Sequence, residues 1–191
     1  MAPRNRHGLY DPQDERDACG FGMVAQLDDQ PSRALVDTAI AALSRMTHRG
    51  GVAADGLTGD GCGLLIRKPD AFLRALARDA GIAVGARFAA GQVFMPRDDV
   101  EGAARCRQVL EEELLRDGVQ PRGWRLTPTD DSVCGQLAKD TLPHIEQVFV
   151  DAGADHSDDG FALALFLARR RAEQRLRDIA DFYVTTLSPN G

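Results

Sequence analysis

The chain has 191 residues, 43% of them hydrophobic and 27% charged, which is the composition of a soluble globular protein with a real core. Its formal net charge of −6 leaves no basic surplus to neutralise phosphates, which argues against a nucleic-acid binder. No stretch approaches the roughly 18 apolar residues of a membrane span, and the first 18 residues lack the apolar centre of a secretory signal.

Residues 1–18 read as an irregular, charge-mixed leader. At its end stands Asp17-Ala18-Cys19-Gly20, and an apolar run from Cys19 to Leu27 reads as a buried strand. Asp28 to Ser32 is a turn, with Ser32 in position to cap a helix over Arg33 to Thr47 whose inward face is Leu35, Ala39, Ala42, Leu43 and Met46. His48-Arg49-Gly50-Gly51 stops that helix, and a glycine-rich passage runs to Gly63. Cys62 to Ile66 is expected as a short core strand. Asp70 to Ala80 is expected as a helix with Phe72, Leu73 and Leu76 inward.

Farther on, Gln92 to Met95 reads as a strand ended by Pro96, and Asp99 to Arg116 as a long helix. Strands are expected at Gly123 to Leu126, Ile145 to Val150 and Phe182 to Leu187, with a short helical turn near Leu137. Asp151 to Gly160 reads as an exposed acidic loop and Phe161 to Arg177 as a helix, with Arg169-Arg170-Arg171 on its solvated face. The order is mixed α and β, without internal repeats.

Four cysteines are present, with no C-x-x-C pair, so no ordinary local zinc or iron–sulfur motif is expected. Their scatter fits a cytoplasmic protein with reduced thiols. Gly20-x-Gly22-x-x-Ala25 matches a loose dinucleotide fingerprint, but no strand precedes it and Pro31 interrupts the helix that should follow. Asp55 to Gly61 begins like a calcium loop, but the twelfth position is Ile66 where a bidentate glutamate is needed.

Cys19 is the reactive candidate. A thiol attacks as thiolate, and a free cysteine has a pKa of about 8.5. An α-amine has a pKa of about 7.7–8.0, so a chain cut before Cys19 would give the nucleophile its own general base. Gly20 would let backbone pass close to a substrate. The other reading of Cys19, open at this level, is a buried inert thiol starting a core strand. Asp60 with its glycine neighbours is a candidate for the lining of a site near Cys19. Arg49 has both a helix-closing role and a role in fixing the chain near the new terminus.

Taken together, several of these pieces resemble the large chain of glutamate synthase. They are Leu9-Tyr10-Asp11-Pro12, then Asp17-Ala18-Cys19-Gly20, His48-Arg49-Gly50, Ala54-Asp55, Thr58-Gly59-Asp60-Gly61, Ile145 to Val150 and Phe182-Tyr183-Val184. The resemblance implies an α+β class II glutamine amidotransferase domain with the N-terminal-nucleophile hydrolase fold, two sheets between helical layers (αββα), of which only the first part is present. It implies a leader at 1–18 removed on maturation and a partial amidotransferase domain at 19–191. Cys19 carries over as the catalytic nucleophile, and Gly20, Arg49, Gly50, Asp60 and Gly61 as a supporting block.

The same resemblance implies glutamine as substrate, and the remaining synthase domains and a small electron-donating subunit as partners. No cofactor is implied in this chain, but FMN and an iron–sulfur cluster are implied for the full-length enzyme. The family's carboxylate-binding arginine and its oxyanion asparagine-glycine pair are expected beyond Gly191, so residues 1–191 alone are expected to be inactive. The alternatives are a catalytically incomplete structural or interaction domain of the same fold, or another class II amidotransferase.

Overall fold

The computed structural model describes residues 20–46, 50–59 and 61–190. The chain divides into two compact units, Met1–Leu64 and Leu65–Gly191.

In the first unit the only regular element among the described residues is helix α1, Arg33–Ser44. Leu35, Ala39, Leu43 and Met46 are half-buried along one stripe, as the spacing predicts, but Ala42 is exposed and no residue of α1 is fully buried. Ser32 occupies the capping position without donating or accepting a side-chain capping bond. Thr47, His48 and Arg49 lie outside the described residues.

The second unit is built on a four-stranded antiparallel sheet, β2-β3-β1-β4, from β1 (Phe88–Met95), β2 (Gln120–Leu126), β3 (His144–Asp151) and β4 (Tyr183–Ser188). Four helices join it: α2 (Asp70–Asp79), α3 (Val100–Arg116), α4 (Gln136–Asp140) and α5 (Asp158–Arg175). The alternation of strand side chains splits the core in two. Ala89, Val93, Met95, Val148, Val150, Val184 and Leu187 pack against α3 and α5. On the opposite face Phe88 and Phe149 pack against Ala77 of α2 and Ile82, with Leu73 and Leu76 alongside. Phe72, expected inward, is 60% exposed, because the apolar stripe of α2 is narrow and turns through Leu73, Leu76 and Ala77 instead.

Strand β1 begins four residues before the expected Gln92. Phe88-Ala89-Ala90-Gly91 is a weak strand former, but this segment is central and pairs with β3 along its whole length, with β4 joining from Ala90. Gly91 is required by that closeness, since a Cβ there would lie 2.5 Å from the Thr186 carbonyl oxygen.

Helix α3 starts as the sequence predicts, with the Asp99 carboxylate accepting the Gly102 N–H at 2.8 Å. Asp99→Ala should therefore cost about 1 kcal/mol of stability, read as a lowered denaturant midpoint with an unchanged slope. Helix α5 starts three residues earlier than expected. Ser157 Oγ accepts from the Gly160 N–H at 3.0 Å, and Asp158 and Asp159 suit the positive end of the helix.

Two charged residues placed at the surface by the sequence are structural ties. Asp151 is the last residue of β3 and only 4% exposed, not a loop residue. Its carboxylate accepts the Gly85 N–H at 2.9 Å and Arg122 Nε at 2.5 Å. In the basic run, Arg169 and Arg170 pair with Glu173 on their own helix, but Arg171 crosses to α3 and binds Glu113 and Asp117. Arg175 also reaches Glu113, at 2.9 Å, and Glu112 at 2.7 Å, so α3 and α5 are clamped by a two-arginine, three-carboxylate network.

Candidate functional site

The six residues expected at the site all fall in the first unit. Cys19, Arg49 and Asp60 lie outside the described residues. Gly20, Gly50 and Gly61 are described, and all three are exposed.

Gly20 opens an irregular stretch to Gln26 rather than the expected buried strand. Phe21, Met23 and Leu27 are 95%, 87% and 101% exposed. An apolar run becomes a strand only when a neighbour takes up its backbone N–H and C=O groups, and no described strand pairs with this one. Cys62 to Ile66 fails as a strand for the same reason. Cys62 is exposed and Leu65 is 77% exposed, so this cysteine is not core packing.

Between these stretches the glycine-rich passage folds into a tight turn. Val52 and Gly59 form an antiparallel bridge, and the Ala53 N–H donates to the Thr58 carbonyl at 2.7 Å. Gly56 takes φ +70°, a left-handed conformation that glycine adopts without strain. The Asp55 carboxylate holds the turn from inside, accepting the Thr58 N–H at 2.8 Å, the Leu57 N–H at 3.1 Å and Thr58 Oγ1 at 2.6 Å.

Asp55 is thus engaged by the turn. The bridge itself pairs only Val52 with Gly59. Among the described residues no hydrogen bond joins Gly20 to Gly50 or Gly61. Asp55, outside the expected site block, is the residue that shapes this loop. The signal was its spacing to Thr58, the usual form of an Asx turn.

The described thiols differ sharply. Cys106 is fully buried in α3, and burial pushes its thiol up to about 11, with Arg105 and Arg107 opposing. Cys134 is half-buried and Cys62 exposed. A thiol reagent at pH 8 should modify Cys62 in the native protein and leave Cys106 untouched until denaturant is added. Rapid native labelling of Cys106, read by peptide mass spectrometry, would contradict the buried placement.

Several polar groups of the sheet are tied to one another. Thr127 Oγ1 donates to Gln92 Oε1 at 2.8 Å, and Arg125 Nη1 to Gln147 Oε1 at 2.9 Å. Glu146 Oε1 receives Arg107 at 2.8 Å and lies 2.7 Å from His144 Nε2. Among the described residues no three of His, Cys, Asp and Glu converge as a metal site. No helix among the described residues is long and apolar enough to cross a membrane.

Residues 19–191 match the family model described as class-II glutamine amidotransferases. The chain is 40% identical over 182 residues to the NADPH glutamate synthase large chain of Azospirillum brasilense, covering 94% of this chain and 12% of that protein. It is 33% identical over 183 residues to the corresponding large chain of Bacillus subtilis, covering 95% and 12%. It is 36% identical over 168 residues to the chloroplastic/mitochondrial ferredoxin-dependent glutamate synthase 1 of Arabidopsis thaliana, covering 87% and 10%. The chain thus spans about a tenth of the length of these relatives.

Proposed function

Because this chain belongs to the class-II glutamine amidotransferases, an enzyme family with the N-terminal-nucleophile fold, we propose that it is the front part of the glutaminase domain of a glutamate synthase. In this reading residues 1–18 are removed and Cys19 becomes the N-terminal nucleophile. The observation that carries the reading is that the family match begins at residue 19, the cysteine singled out on chemical grounds. The similarity of most of the chain to synthases from bacteria and a plant supports the choice of glutamate synthase over other amidotransferases.

The α-amine of Cys19 takes the thiol proton, and the sulfur attacks the side-chain amide carbon of glutamine. As the tetrahedral intermediate collapses, the protonated amine returns that proton to the leaving nitrogen, which departs as ammonia. Water, deprotonated by the same amine, then attacks the thioester carbon, the C–S bond breaks to release glutamate, and the amine returns the proton to the Cys19 thiolate. Gly20 leaves room beside the nucleophile. Arg49, Gly50, Asp60 and Gly61 support the surrounding loop. The ammonia passes to a separate synthase site and is added to 2-oxoglutarate, in domains that lie outside this chain and receive electrons from a partner subunit or carrier protein. The cytoplasm is the proposed compartment.

Processing tests this directly. The mature full-length protein, subjected to N-terminal sequencing and intact-mass measurement, should begin at Cys19. An active enzyme still carrying Met1 or Ala2 at its terminus would rule out the α-amine as the base.

A further inference from the structure

One side chain orders the glycine-rich turn from inside. Asp55 Oδ1 accepts the Thr58 N–H at 2.8 Å and the Leu57 N–H at 3.1 Å, and Asp55 Oδ2 accepts Thr58 Oγ1 at 2.6 Å. The Gly56 N–H donates to the Ala53 carbonyl at 3.0 Å and the Ala53 N–H to the Thr58 carbonyl at 2.7 Å, which closes residues 53–58 into a loop. Apolar packing adds little, since Val52 and Leu57 are 67% and 70% exposed. A segment with few buried apolar contacts takes its local stability from its hydrogen bonds. Without the Asp55 carboxylate, two backbone N–H groups and one hydroxyl lose the acceptor that orders them.

The chain runs from this turn straight into the residues expected to support the nucleophile. Gly59 pairs with Val52, and Asp60 and Gly61 are the next two residues in sequence. Arg49 and Gly50 stand just before Val52 on the other side of the pair. The turn that joins two paired segments sets the register in which they pair. What orders the turn therefore sets how the chain enters and leaves the Val52–Gly59 bridge.

We propose that Asp55 is a positioning residue of the glutaminase reaction, ordering turn 53–58 so that Arg49-Gly50 and Asp60-Gly61 are presented to the site in one register. It acts through the chain it orders, not by touching substrate. The proposal rests on the reading of this chain as part of a glutaminase domain. A displacement of about 1 Å at a reacting centre, caused by a change elsewhere, can cost about 10²-fold in rate. Such a loss falls on kcat, because it weakens contacts made in the transition state more than ground-state binding of glutamine.

The test uses the full-length protein, with glutamine-dependent and ammonia-dependent turnover measured side by side. Asp55→Ala should lower kcat with glutamine by about 10²-fold, with KM for glutamine within about threefold of wild type and ammonia-dependent turnover unchanged. Asp55→Asn should restore most of the lost kcat, since its carbonyl oxygen still accepts both N–H groups and its amide can donate to Thr58 Oγ1. Asp130→Ala is the control. Asp130 accepts the Ser132 N–H at 3.0 Å in an exposed loop of the second unit, and its loss should leave kcat unchanged. Unchanged kcat in Asp55→Ala, a raised KM at unchanged kcat, or an equal loss in Asp55→Asn or Asp130→Ala would overturn the positioning role. Cys19→Ala in the same assay separates this inference from the one beneath it. Glutamine use retained by Cys19→Ala removes the glutaminase reading and the positioning role with it. Glutamine use abolished by Cys19→Ala but intact in Asp55→Ala removes the positioning role alone.

Discussion

Cys19→Ala in the full-length protein is expected to lower glutamine-dependent turnover by on the order of 10⁵-fold, as removal of a covalent nucleophile does elsewhere. Ammonia-dependent turnover in the same variant should be unchanged, because in the proposed scheme ammonia enters at the separate synthase site. The contrast between the two activities is the informative measurement, since a variant that merely misfolds loses both. Cys62→Ala is the control. Cys62 is exposed and outside the packed core, so its loss should disturb neither activity nor stability. A glutamine analogue with an electrophilic side chain should label Cys19 ahead of Cys62, Cys106 and Cys134. Retained glutamine use by Cys19→Ala, or equal labelling of all four thiols, would refute the assignment.

Glu113→Ala is expected to destabilise the protein by about 2 kcal/mol, the largest effect of any single charge removal in the α3–α5 contact. The Glu113 side chain is 6% exposed and receives Arg171 Nε at 2.6 Å and Arg175 Nη1 at 2.9 Å. Removing it leaves both guanidinium groups short of a partner at a partly buried site. Each keeps a second carboxylate, Asp117 for Arg171 and Glu112 for Arg175, which limits the cost.

The network also gives a pH dependence. Burial pushes the Glu113 carboxyl up, but the hydrogen bonds from Arg171 and Arg175 outweigh it and hold the group below the usual glutamate range. Its contribution is therefore complete above the unfolded value of about 4.3 and is lost as pH falls through the lower folded value. Denaturation curves of wild type and Glu113→Ala should differ fully at pH 7, begin to converge below about pH 4.3, and meet only below the lower folded value. A difference that grows on acidification would contradict the clamp.

Where an element carries its own signal, the sequence predicts it closely. Helix α3 was expected at Asp99 to Arg116 and lies at Val100–Arg116, because its apolar spacing and the capping aspartate are local properties. Helix α2, β3 and β4 agree with expectation to within one or two residues for the same reason. The family, too, was legible in the leader-plus-cysteine and glycine-rich blocks, since a reactive N-terminal cysteine requires particular residue types in a particular order.

The rest depends on neighbours. Phe88 to Gly91 became strand because β3 pairs along its length and β4 joins at its second half, although its own residues favour strand weakly. Gly20 to Leu27 and Cys62 to Ile66 look like strands in one dimension and are not strands among the described residues, for want of a pairing partner. Asp151 and Arg171 read as solvated charges, yet Gly85, Arg122, Glu113 and Asp117 bind them from 29 to 66 residues away in sequence. Cys19 shows the same division. Residue type and order alone propose a nucleophile there, because a thiol and an α-amine can belong to one residue, and they leave an inert thiol as the other reading. The turn of the glycine-rich passage was decided by a bridge between Val52 and Gly59, because strand pairing is a property of two segments and is written in neither alone.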